Sequence, residues 1–138
     1  MSGFRTVEHV IRAQHSRDRF AGAELGHENE LKLHVKQYIP ESNPNPKPGD
    51  VSVIGAGADA FPKEMYEPFW QDFCGMMEAK GRRVRSIWVA DPVNQGHSGV
   101  MNETILGPDR KSSFSGLFLF VPDLTQPVGG TTVEISYS

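Results

Sequence analysis

Residues 51–91 constrain this chain more than any other stretch. Val51-Ser52-Val53-Ile54 is a short apolar run that stops at Gly55, and it reads as a buried strand of parallel type. From Lys63 to Lys80, the residues Tyr66, Phe69, Trp70, Phe73, Met76 and Met77 recur at three- and four-residue spacing. That spacing lays one apolar face along a helix. Pro62 and Pro68 fall early, where missing amide donors cost least, and Pro68 divides a first turn from the main helix. Gly81 is a natural stop. Arg82 to Asp91 reads as the next strand. Strand, helix and strand in this order predict two parallel strands joined by a right-handed crossover, and so an α/β fold.

Upstream, a first strand is expected from Phe4 to about His15, then a loop holding Gly22 and Gly26. Leu31 to Ile39 alternates. Leu31, Leu33, Val35 and Ile39 share one face, and Lys32, His34 and Lys36 share the other, which is expected to be wet. His34 is therefore expected to be solvated. These two segments suit an antiparallel pair at a sheet edge. Pro40, Pro44, Pro46 and Pro48 break the pattern before Gly49 and read as an extended surface connection, since proline cannot donate to a ladder.

Composition narrows the function classes. With 138 residues, 38% hydrophobic and 22% charged, the chain is one domain or part of one and can build a modest core. A net charge of −3 gives no general attraction to nucleic acid or membrane surfaces. No apolar run reaches membrane-spanning length, and the N-terminus has no apolar signal core. Arg5, Arg12, Arg17 and Arg19 hint at a transit peptide, but Glu8 and Asp18 interrupt that pattern and favour a charged first strand. Cys74 is the single cysteine, so an internal disulfide is excluded and a reducing compartment is suited; the lack of targeting signals gives an intracellular, cytoplasmic expectation.

Two motifs invite misreading. Gly55-Ala56-Gly57-Ala58-Asp59-Ala60 resembles a dinucleotide-binding turn. Its acidic ribose partner belongs about 20 residues on, whereas Asp91 lies 36 residues after Gly55. Asp59 would also set a negative charge near the pyrophosphate, so no nucleotide cofactor is expected. Gly96-His97-Ser98-Gly99-Val100 resembles a nucleophile elbow, but Val100 stands where G-x-S-x-G needs glycine, and the strand ends several residues too early. Ser98 is expected to be a loop residue of the polar, glycine-rich segment after Asp91. No metal site is expected either: His9, His15, His27, His34 and His97 lack H-x-x-x-H or H-E-x-x-H spacing. Glu64 and Glu67 suit the start of a helix. Cys74 is expected to pack and not to react.

Three segments carry a family resemblance. Phe61-Pro62-Lys63-Glu64-Met65-Tyr66-Glu67-Pro68-Phe69-Trp70, the strand Arg85-Ser86-Ile87-Trp88-Val89-Ala90-Asp91, and the loop from Asn94 to Glu103 resemble fungal α/β-hydrolase-fold proteins. The likeness is to the peroxisomal hydrolase-like proteins of host-selective toxin biosynthesis clusters. His34-Val35-Lys36-Gln37-Tyr38-Ile39-Pro40 looks like their second strand, and the resemblance runs from Thr6 to Gly107. It implies the N-terminal half of an α/β-hydrolase fold: antiparallel first strands, then a parallel strand–helix–strand unit. It also implies hydrolase or acyl-transfer chemistry on a small lipophilic ester or thioester. In such proteins the turn after the third strand supplies oxyanion-hole amides, which here falls to the backbone of Ala58 and Asp59. An Asp59 carboxylate turned inward would oppose the developing oxyanion.

The family pattern continues with an elbow serine, an acid and a histidine, and residues 108–138 supply none of these. The expectation is therefore a hydrolase-like region, 1–107, followed by an unrelated, irregular or β-like tail, 108–138, with no catalytic residues of its own. Such a chain reads as a truncated hydrolase. A second reading makes it a non-catalytic partner or regulator of a full-length relative, and a third, a dinucleotide-binding domain, rests on the poorly spaced glycine turn. Leu117-Phe118-Leu119-Phe120-Val121 is apolar and uncharged, and is expected to add as a strand to its own sheet or to drive self-association. The last residues, Ser136-Tyr137-Ser138, do not form a peroxisomal signal of the S-K-L type.

Overall fold

The structure is a computed structural model that describes residues 3–12, 31–56 and 61–106. Four strands form one sheet in the order β1-β2-β4-β3. These are β1 (Phe4–Arg12), β2 (Lys32–Pro40), β3 (Val51–Ala56) and β4 (Val84–Ala90). β1 and β2 pair antiparallel with β1 at the edge, and β3 and β4 pair parallel. Both pairings are those expected from the sequence. β2 also pairs antiparallel with β4, from Val35 opposite Ala90 to Tyr38 opposite Ile87. That contact joins the hairpin-like pair to the parallel unit.

The crossover holds a 3₁₀ turn, Lys63–Tyr66, and then α1, Glu67–Ala79. Pro68 sits in the first turn of α1 and divides the two, as the sequence predicts. At the other end Gly81 adopts φ 71°, the left-handed conformation that glycine takes without penalty. The Arg82 amide donates to the Met77 carbonyl and the Gly81 amide to the Glu78 carbonyl, each at 2.9 Å. These two bonds make a Schellman cap and satisfy carbonyls that the helix end would otherwise orphan.

Both faces of the sheet carry apolar cores. On one, Trp70 and Cys74 of α1 pack on Phe4, Tyr38, Val84, Ile87 and Val89. On the other, Leu31, Leu33, Val35 and Ala90 pack with Val93 and Leu106. The apolar stripe of α1 is narrower than its periodicity implies. Trp70 and Cys74 are buried and Phe73 and Met77 half-buried, but Phe69 and Met76 are 51% and 54% exposed. Val51 to Ile54 are likewise only half-buried, because β3 is an outer strand of the described sheet.

Gly55 owes its place to packing. A Cβ there would lie 2.7 Å from Trp70 Cζ2 and 3.2 Å from Val89 Cγ2. The glycine lets the indole lie against β3, which accounts for it without any bound nucleotide. Gly57, Ala58, Asp59 and Ala60 lie outside the described residues, as does the tail, 108–138. No helix among the described residues is long and apolar enough to cross a membrane.

Candidate functional site at the end of the central strands

The expected wet face of β2 is the face that lies under the 3₁₀ turn; Lys32 is exposed on it, but Lys36 is half-buried and His34 buried. His34 is 7% exposed, which overturns the expectation that it is solvated. Alternation shows which residues share a face, but it does not say that the polar face meets water. Here the polar residues are kept because they meet one another.

Lys63, from the 3₁₀ turn, is 1% exposed, and its Nζ lies 2.5 Å from Asp91 Oδ2 at the end of β4. Burying a lone ammonium is costly, so this partner is obligatory. Glu64 Oε1 lies 3.3 Å from the same ammonium and 2.8 Å from Lys36 Nζ on β2. Partial burial alone would raise the Glu64 pKa, but the hydrogen bond from Lys36 and the two ammonium charges outweigh it and hold Glu64 down at about 2. Glu8, on β1, lies 3.4 Å from His34 Nε2 and 4.0 Å from Lys36 Nζ. The chain of charges runs from β1 through β2 and the 3₁₀ turn to β4. It fixes the start of the crossover onto the carboxyl end of the parallel strands, where ligands bind in open α/β sheets.

The segment after Asp91 is not a simple loop. Gly96–Met101 forms a short helix, α2. Ser98 lies inside it, fully buried, which corrects its reading as a loop residue. Its hydroxyl donates to the Asp91 carbonyl at 3.1 Å and accepts from the His34 amide at 2.8 Å. The Asp91 amide donates to the His34 carbonyl at 3.2 Å. Ser98 thus extends the β2–β4 ladder beyond its last backbone pair. Asn102 does the same one step further on: its side-chain carbonyl accepts the Lys32 amide at 2.8 Å, and its amide group donates to the Lys32 and Val93 carbonyls. With its proton given to the Asp91 carbonyl and one lone pair taken by the His34 amide, the buried Ser98 hydroxyl is a poor nucleophile.

Asp91 is the hub of this end of the sheet. Besides Lys63 it accepts the His97 amide at 3.2 Å. Gly96, at φ 52°, sits where a Cβ would come within 2.5 Å of Asp91 Oδ2. Only glycine lets the chain turn that tightly over a carboxylate. The turn also brings the His97 ring against His34, with centroids 4.7 Å apart and planes at 60°. His34, Asp91 and His97 therefore meet, each offering a ligand atom within 4.8 Å of the others. Sequence spacing gave no sign of this cluster, because sheet pairing and the α2 turn assemble it. Elsewhere Tyr38 donates to Glu67 at 3.0 Å, and burial together with that carboxylate raises its pKa. Burial pushes the Cys74 thiol up to about 11, so it packs as expected. The oxyanion-turn residues Ala58 and Asp59 are outside the described residues.

No protein-family model matches the chain. Over 107 residues it is 36% identical to a type I acyl-CoA thioesterase, mpaH′, of Penicillium brevicompactum, covering 77% of this chain and 24% of that protein. It is 36% identical, over the same length and with the same coverage, to the type I acyl-CoA thioesterase mpaH of Penicillium roqueforti. The chain therefore spans about a quarter of the length of these curated relatives. Among solved structures, the peroxisomal α/β-hydrolase Lpx1 of Saccharomyces cerevisiae superposes with a TM-score of 0.60 at 19% identity, over 78% of this chain and 29% of that one. The described fold is thus part of an α/β-hydrolase fold, as the resemblance implied, and the similarity in sequence is to fungal acyl-CoA thioesterases.

Proposed function

We propose that this chain supplies the N-terminal sheet of an α/β-hydrolase-type enzyme that cleaves a thioester or ester of a small lipophilic metabolite in fungal secondary metabolism. The observation that carries this reading is the 107-residue similarity to acyl-CoA thioesterases, set on an α/β-hydrolase sheet. In this reading the strand ends around Asp91 floor the active-site mouth, and the oxyanion donors are the backbone amides of Ala58 and Asp59, which lie outside the described residues. The toxin-cluster and peroxisomal settings are finer parts of the same reading. The nucleophile, acid and histidine are not assigned to any of these 138 residues. Ser98 is committed to the backbone, and no G-x-S-x-G occurs among them. That commitment also favours the second reading, in which this chain acts as a non-catalytic partner of a full-length relative.

The 138-residue chain alone is expected to release no thiol from acyl-CoA thioesters, and no phenol from short-chain aryl esters, above a matched blank. Steady-state turnover by the wild-type chain that disappears in Ser98→Ala, with the circular dichroism of the two proteins matching, would overturn the placement of the nucleophile elsewhere.

A further inference from the structure

We infer that His34, Asp91 and His97 form a site for a borderline divalent cation of the Zn²⁺ class, holding α2 against the ends of β2 and β4. This does not rest on the thioesterase reading. Two imidazoles and a carboxylate are a donor set that suits zinc, with water completing the coordination. Their ligand atoms already lie within 4.8 Å of one another, a span that one ion can bridge.

A second observation comes from His34 itself. Its ring is buried, and Nδ1 has no hydrogen-bond partner among the described residues. A buried, unpaired ring nitrogen is costly, and a metal ion satisfies it directly. The other nitrogen, Nε2, faces the Glu8 carboxylate at 3.4 Å. That arrangement, carboxylate to one imidazole nitrogen and metal on the other, is how proteins fix the tautomer and orientation of a ligating histidine.

The charges around the site admit a cation. Lys63 opposes one, but its ammonium and the His97 amide both meet Oδ2 of Asp91, so Oδ1 is the oxygen an ion would take. Three carboxylates, Asp91, Glu64 and Glu8, face two ammonium groups, Lys63 and Lys36, across the network. The site is therefore not net positive before an ion arrives. His97 is exposed, which gives the ion an entry path.

The test uses the full chain and Zn²⁺ alone, titrated by calorimetry against a competing chelator, with Co²⁺ absorption reporting the donor set. One equivalent is expected to bind. His97→Ala and Glu8→Gln change exposed side chains, so both proteins should fold as the wild type. His97→Ala should weaken Zn²⁺ at least tenfold, and Glu8→Gln, which removes only the orienting carboxylate, about tenfold. His9→Ala should leave binding unchanged, since His9 bonds to Gln37. Mg²⁺ and Ca²⁺ should not compete, because they favour all-oxygen sites. No saturable Zn²⁺ binding by the wild type, or binding unaltered in His97→Ala, would overturn the site.

Discussion

Asp91→Ala is expected to destabilise the fold by about 3–5 kcal/mol, a large share of what a domain of this size has to lose. The reason is the partner left behind. Lys63 is 1% exposed, and Asp91 is its nearest counter-charge. Glu64, at 3.3 Å, remains beside the ammonium and sets the effect toward the lower end of that range. The His97 amide loses its acceptor as well. Pairing the change with Lys63→Met removes the orphaned charge and should recover most of the loss, because a buried ion pair replaced on both sides is close to neutral. A double-mutant cycle read by urea unfolding separates these terms. Asp91→Ala unfolding at the wild-type midpoint would contradict the pairing.

Trp70→Ala should cost a similar amount, about 3–5 kcal/mol, with a fall in Tm of roughly 10–20 °C. Trp70 is the side chain through which α1 meets β3: its ring occupies the space that Gly55 leaves open. It also packs edge-on against Phe69 and Phe73. Its indole nitrogen is buried with no hydrogen-bond partner among the described residues, so Trp70→Phe should lose much less than Trp70→Ala. Phe73, half-buried, should cost less on truncation than the full-core value its helical spacing implies. Equal effects for Trp70→Ala and Trp70→Phe, measured by thermal melting, would show that the aromatic volume is not what holds the helix.

Much of the scaffold was legible because it obeys local rules. Alternation placed β2, the three- and four-residue spacing placed α1, and Pro68 and Gly81 marked its joints. The misreadings fall where long-range contacts decide. Lys36 and His34 look like solvent-facing residues in any window of nine, and only the 3₁₀ turn and Glu8 make their positions polar and enclosed. Ser98 and Asn102 sit in a glycine-rich stretch that reads as loop. Their side chains finish a ladder whose other strand lies more than 60 residues away in sequence. Histidines 34 and 97 could not be paired by spacing, since their approach needs both the β2–β4 register and the tight turn at Gly96. Gly55 carried a real signal, but of close helix–strand packing, a requirement that a dinucleotide turn shares.

The most direct measurement is an exchange of segments. The matching 107-residue segment of the Penicillium brevicompactum thioesterase is replaced by that of this chain, and thiol release from acyl-CoA is followed. If the sheet described here is that of a thioesterase-type hydrolase, the chimaera folds and hydrolyses acyl-CoA above a control lacking the thioesterase nucleophile. A chimaera that is monodisperse and has the parent's circular dichroism, yet releases no thiol, would contradict the account.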